Sequence, residues 1–136
     1  KIMIEENRLR SYGKIYNLGH RAIQDLFKDD VVIEEKIDGS QFSFGKKDGE
    51  LFCRSKKKQL IMDADNGMFN EAVQTVKDLG PILLGSVTYR AEYLRKPKHN
   101  TLVYNRIPER HLIIYDIDAG YENYFDRPDK IKESAI

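Results

Sequence analysis

Residues 31–44 constrain the fold of this chain more than any other stretch. Val31, Val32 and Ile33 are β-branched, Asp38-Gly39 is a turn-forming pair, and Phe42 and Phe44 alternate with Gln41 and Ser43. That pattern predicts a strand, a tight turn and a second strand. Such a hairpin holds Lys36 on rigid backbone beside its turn. A lysine amine is a nucleophile only when unprotonated, through desolvation or neighbouring cations. Gly39, lacking a side chain, is expected to let backbone and phosphate come close. Taken alone, Lys-x-Asp-Gly arises by chance in roughly a few per cent of chains this long. A lone lysine beside a turn is far more often a solvated surface group.

The other elements follow from periodicity. Ala22, Ile23, Leu26 and Phe27 share one helical face, which predicts a short amphipathic helix over residues 21–28. Asp48-Gly49 marks a second turn, and Glu50 to Ser55 alternates as a strand. Lys56-Lys57-Lys58 at its far end reads equally as a solvated loop or as a phosphate-contacting patch. Phe69, Ala72, Val73, Val76 and Leu79 recur at helical spacing until Gly80-Pro81 ends the run. Val87 to Leu94 is a strand with Arg90 and Glu92 on one face and Tyr89, Ala91 and Tyr93 on the other. A basic loop, Arg95 to Asn100, leads to Leu112–Asp118, the most hydrophobic strand, and Arg127-Pro128 reads as a helix start. Asp63 to Gly67 imitates a calcium loop, but its glycine falls one place early and the twelfth position is Gln74. His20, His99 and His111 show no metal-ligand spacing.

These elements predict an α+β domain of antiparallel sheets and short helices. At 136 residues, 40% hydrophobic and 33% charged, the chain suffices for one domain with a modest core. Its 23 Lys and Arg stand against 22 Asp and Glu, so bulk charge selects no partner. A nucleic-acid surface has to come from local clustering. No apolar run approaches the ~20 residues of a membrane helix, and no signal-peptide pattern is present. The single Cys53 excludes an internal disulfide and fits a reducing compartment. A cytoplasmic protein with no membrane partner is expected.

Four polar features fall in a telling order: Glu35-Lys36-Ile37-Asp38-Gly39, Arg54-Ser55, Ala91-Glu92 and Tyr115-Asp116-Ile117. This order resembles the covalent nucleotidyltransferase superfamily of polynucleotide ligases and mRNA capping enzymes. There, Glu-Lys-x-Asp-Gly holds the nucleophile, and an arginine or serine–arginine pair follows. A Gly-Glu-like strand carries a ribose-binding glutamate, and an aromatic-Asp-Ile strand supplies the ring that stacks on the base. DNA ligases and capping enzymes usually carry arginine two residues after the motif glycine. Here that residue is Gln41, and Gly39-Ser40-Gln41-Phe42 looks more like the Gly-Thr-Asn-Phe run of ATP-dependent RNA ligases that seal nicked duplex RNA, phage-encoded members above all. The resemblance runs from about Tyr16 through nearly the whole chain.

The resemblance implies an ATP-grasp-like nucleotidyltransferase (adenylylation) domain that forms lysyl-AMP on Lys36 and passes AMP to an RNA 5′-phosphate. It implies ATP as AMP donor, with Mg2+ or Mn2+ on the phosphates. Glu35, Ile37, Asp38, Gly39, Arg54, Glu92 and Tyr115 are the implied nucleotide-binding residues. Glu92 and Arg54 would hold ribose hydroxyls, Glu35 would take the adenine amino group, and Tyr115 would stack on the base for ~1–3 kcal/mol. Ser40, Gln41, Lys56, Lys57 and Lys58 would face RNA. No oligomer is expected. Ala91 stands where the family has glycine, and the family's later Glu-Gly and Lys-x-Lys motifs have no counterpart in the matching place. Residues 1–136, which begin at Lys1 rather than Met, therefore read as a partial adenylyltransferase domain, truncated before those motifs. Without them little lysyl-AMP is expected. Two other readings stay open: a DNA ligase or capping-type nucleotidyltransferase, and a nucleotide- or RNA-binding module without catalysis.

Overall fold

In the computed structural model the described residues are 9–119 and 124–125. Strand β1, Ser40–Lys47, turns back through Asp48 and Gly49 into β2, Glu50–Ser55. Both turn residues have positive φ, 53° and 81°, as a two-residue hairpin with right-handed strand twist requires. Short β3, Gln59–Leu60, follows, then helix α1, Asn70–Leu79. Strands β4, Thr88–Tyr93, β5, Leu112–Asp118, and β6, Tyr124–Phe125, complete one sheet. Its order is β3-β2-β1-β4-β5-β6, with every neighbouring pair antiparallel. The α+β class expected from periodicity is what the chain adopts.

Alternation divides the sheet into two unlike faces. Phe42, Phe44, Cys53, Tyr89, Ala91, Tyr93 and Ile117 are buried on one face, against Ala72, Val73 and Val76 of α1. Phe42 lies 6.0 Å from the Phe69 ring and Phe44 stacks on Tyr89 at 5.1 Å, so aromatic contacts dominate this core. Burying each such side chain contributes roughly 1.5–3 kcal/mol. The other face carries Gln41 and Ser43 of β1, Arg54 of β2, Arg90 and Glu92 of β4, and Asp116 of β5.

Two local expectations are corrected. Residues 31–37 form no strand, so Lys36 does not sit in a hairpin. The reason is that β1 has no free edge: Phe42 pairs with Ser55 on one side and Ala91 on the other. With both sides taken, the β-branched run has nothing to pair with, and Ile33 is 89% exposed. Residues 21–28 form two 3-10 turns, Arg21–Ile23 and Leu26–Lys28, in place of an amphipathic helix. So short a segment is not helical without a surface to bury, and neither turn buries a residue. The helix start expected at Arg127 lies outside the described residues.

Candidate functional site

Polar contacts converge where β1 begins, around Asp38, Gly39 and Ser40. The Gly39 N–H donates to Glu92 Oε2 at 3.0 Å, joining stretches 53 residues apart in sequence. Asp38 Oδ2 accepts the N–H groups of Thr101 and Leu102, each at 2.8 Å. The Asp38 N–H donates to the Tyr104 hydroxyl at 2.8 Å. Ser40 Oγ lies 2.8 Å from His99 Nε2. The motif is therefore held by β4 and by the loop between β4 and β5. Gly39 is needed here for space: an added Cβ would sit 2.3 Å from the Tyr93 carbonyl oxygen.

Lys36 and Glu35 are exposed and Ile37 is half-buried. The Lys36 charge acts on both Asp38 and Glu92. Two backbone N–H groups, Leu102 first and Thr101 second, hold the Asp38 carboxyl below its usual range. Glu92 moves the other way. Desolvation raises its pKa, while the Gly39 N–H and then Lys36 pull it back.

That direction carries a prediction. A carboxyl with a raised folded pKa contributes stability that is fully present below its ordinary value of 4.5 and is lost as pH rises through the folded value. Glu92→Gln stays neutral throughout and keeps an oxygen for the Gly39 N–H. Thermal unfolding from pH 4 to pH 8 is expected to show the variant gaining on the natural chain as pH rises. At pH 7 its Tm should be no lower. A Tm that falls with pH in the variant as steeply as in the natural chain would refute the assignment.

Tyr115 reaches the polar face through an irregularity. Arg90 pairs with Asp116 but Ala91 pairs with Ile114, so Tyr115 is the extra residue of a β-bulge. Bulges re-aim side chains, and here one residue, Tyr12, meets both neighbours. Its ring lies edge-on to Tyr115 at 5.3 Å and its hydroxyl donates to Asp116 Oδ2. Burial, then the charges of Glu92 and Asp116, push the Tyr115 hydroxyl well above its ordinary range. Glu92 is thus the electrostatic link of this face: the Lys36 charge acts on it, and it acts on Tyr115.

Arg54 shares this face, opposite Ser43. Its guanidinium donates to the carbonyls of Leu9 at 2.8 Å, Ser55 at 3.0 Å and Lys56 at 3.4 Å. The Leu9 N–H in turn donates to Gln59 Oε1, and the Arg10 carbonyl accepts from Arg90, so residues 9–12 cross the polar face. Arg90 is 2% exposed and pairs with Asp118 at 3.1 Å. Gln41 lies opposite Glu92 in the β1–β4 register. Lys56, Lys57 and Lys58 are exposed on the β2–β3 turn, which the Ser55 N–H closes by donating to the Lys58 carbonyl at 2.9 Å. Since β1 and β2 are antiparallel, this turn lies at the end of the sheet where Gly39 enters.

Tyr104, His99, Thr101 and Leu102 were invisible to sequence reasoning. They lie in a loop without periodicity; Asp38, the partner of Tyr104, Thr101 and Leu102, is more than 60 residues away, and Ser40, the partner of His99, is 59 away.

A cavity of about 310 Å³ opens on the opposite, apolar face, lined by Phe44, Thr75, Leu79, Ile82, Arg110, Leu112 and Ile114. It shares no residue with the Lys36 neighbourhood. No three His, Cys, Asp or Glu side chains among the described residues are grouped to hold a metal ion. No helix among them is long and apolar enough to cross a membrane. Comparison of the chain with protein-family models, curated proteins and solved structures found no match.

Proposed function

We propose that this chain is the nucleotide-transferring part of an ATP-dependent RNA ligase, an ATP-grasp-like adenylylation domain with Lys36 as its nucleophile. The observation that supports this most is the Gly39–Glu92 hydrogen bond. It ties the Lys-x-Asp-Gly motif to the glutamate that the resemblance assigns to ribose. Tyr115, turned by its bulge toward the same charges, adds an aromatic face for adenine.

The reaction has three displacements. Lys36 Nζ bonds to the α-phosphorus of ATP, the bond to the bridging oxygen breaks, and pyrophosphate leaves as the amine loses its proton. An oxygen of an RNA 5′-phosphate then displaces the lysine and takes the AMP. A 3′-hydroxyl attacks that 5′-phosphorus, expelling AMP and closing the strand. Glu92 and Arg54 serve the ribose, with Arg54 exchanging a carbonyl contact for it. Glu35 faces the adenine amino group, and Ile37, Asp38 and Gly39 form the backbone floor. Magnesium commonly rides on substrate phosphates with few protein ligands, which fits described residues in which no three His, Cys, Asp or Glu side chains are grouped around a metal position. Ser40, Gln41 and Lys56 to Lys58 face the RNA.

Backbone NMR of the chain titrated with magnesium ATP tests the location. Shifts are expected at Gly39, Gln41, Glu92 and Tyr115, and they should be weaker with GTP. Shifts confined to Thr75, Leu79, Ile82 and Leu112, around the apolar cavity, would overturn the reading.

A further inference from the structure

We infer that the loop from His99 to Tyr104 is the positioning element for the Lys36 nucleophile, with Tyr104 as its key residue. This inference rests on the function proposed above. The residues on either side of Lys36 differ in kind. Upstream, Val31 to Glu35 are exposed and outside the sheet. Downstream, three successive residues are tied, and most ties end in one loop. Asp38 is gripped at both ends: its N–H donates to Tyr104 Oη at 2.8 Å, and its Oδ2 accepts two consecutive N–H groups at 2.8 Å each. Two successive N–H groups converging on one carboxylate oxygen make a small anion-binding nest. Ser40 is held by His99, whose Nδ1 accepts the Arg95 N–H at 2.9 Å. With Nδ1 used as an acceptor, the ring proton sits on Nε2 and points at Ser40 Oγ.

The loop is also closed on itself, because the Tyr104 N–H donates to the Pro97 carbonyl at 3.0 Å. Lys36 therefore hangs two residues upstream of a clamp whose far side is a closed loop, and its backbone has no other anchor of comparable kind among the described residues. Tyr104 does not belong to the face that carries Glu92 and Tyr115. It acts through Asp38, by accepting one N–H that otherwise has no partner. A nucleophile displaced by about 1 Å reacts on the order of 100-fold more slowly, so loosening one tie of several should cost less than that.

The experiment uses the natural full-length protein and measures single-turnover lysyl-AMP formation against ATP concentration. Tyr104→Phe is expected to lower the maximal rate about 10-fold and to leave half-saturation by ATP within about 2-fold. Hydrogen exchange should report a less protected Asp38 amide in the same variant. Asp38→Asn, which keeps an oxygen for Thr101 and Leu102, should retain more activity than Asp38→Ala; this pair serves if Tyr104→Phe folds poorly. An unchanged maximal rate in Tyr104→Phe, or a loss confined to ATP affinity, would overturn the positioning role while leaving the proposed function intact. No lysyl-AMP in the natural protein would overturn the function itself, and the positioning role with it.

Discussion

Gly39→Ala is expected to lose stability and nucleotide chemistry together. Gly39 does not have a positive φ, so backbone preference is not what demands glycine there. Space is. The added methyl would lie 2.3 Å from the Tyr93 carbonyl oxygen and 3.1 Å from the Glu92 Cγ. The first contact is with backbone at the end of β4, an inner strand of the sheet, and it cannot rotate away. Relief requires parting β1 from β4 at the Ser40–Tyr93 pair, which removes the Gly39 N–H from Glu92. Overpacking of this kind costs about 1–3 kcal/mol, and displacement of Lys36 adds a rate loss on the order of 100-fold. Urea unfolding and lysyl-AMP formation measure the two losses. Gly13→Ala, with nothing within 4 Å of the new methyl, is the control and should change neither. A Gly39→Ala protein of natural stability would show that β1 and β4 do not approach as described.

Phe42→Ala is expected to be the most destabilising single truncation in the core. Phe42 is 0% exposed and its ring meets Phe44, Phe69 and Tyr93 at 6.1, 6.0 and 6.4 Å. It joins the central strand to the segment that leads into α1, so its loss opens a cavity that neighbours on two elements must collapse to fill. Phe→Ala changes at such sites cost about 3–5 kcal/mol, a large part of the ~5–15 kcal/mol that holds a domain together. Denaturant unfolding should show it as a lower midpoint with little change in slope. A loss under about 1 kcal/mol would mean that this face of β1 does not form the core.

What could be read from the chain, and what could not, divides by range of interaction. The alternation of Phe42 and Phe44, the 3.6-residue spacing in α1 and the Asp48-Gly49 turn are local signals, and each produced the element it promised. The split of β4 into an Arg90–Glu92 face and a Tyr89–Ala91–Tyr93 face was legible for the same reason. Val31 to Ile33 carry an equally strong local signal for a strand, yet pairing depends on a free edge. One edge of β1 is taken by β2, the next strand, and the other by β4, far along the chain. Tyr115 shows the same limit in a finer form. Its residue type marked it, but the face it occupies depends on a bulge set by register against β4, and no single-strand pattern encodes that. The Asp38–Tyr104 contact is the extreme case, since nothing in a loop of mixed composition points to a partner across the sequence.

The central claim is that Lys36 carries the nucleotide. The direct measurement is to incubate the natural full-length protein with α-labelled ATP and magnesium, digest it, and locate the acid-labile adduct by mass spectrometry. One AMP on Lys36 is expected, absent in a Lys36→Ala protein. That protein should keep its natural Tm, because the lysine side chain is exposed. Label on a different lysine, label undiminished in Lys36→Ala, or no label at all would contradict it.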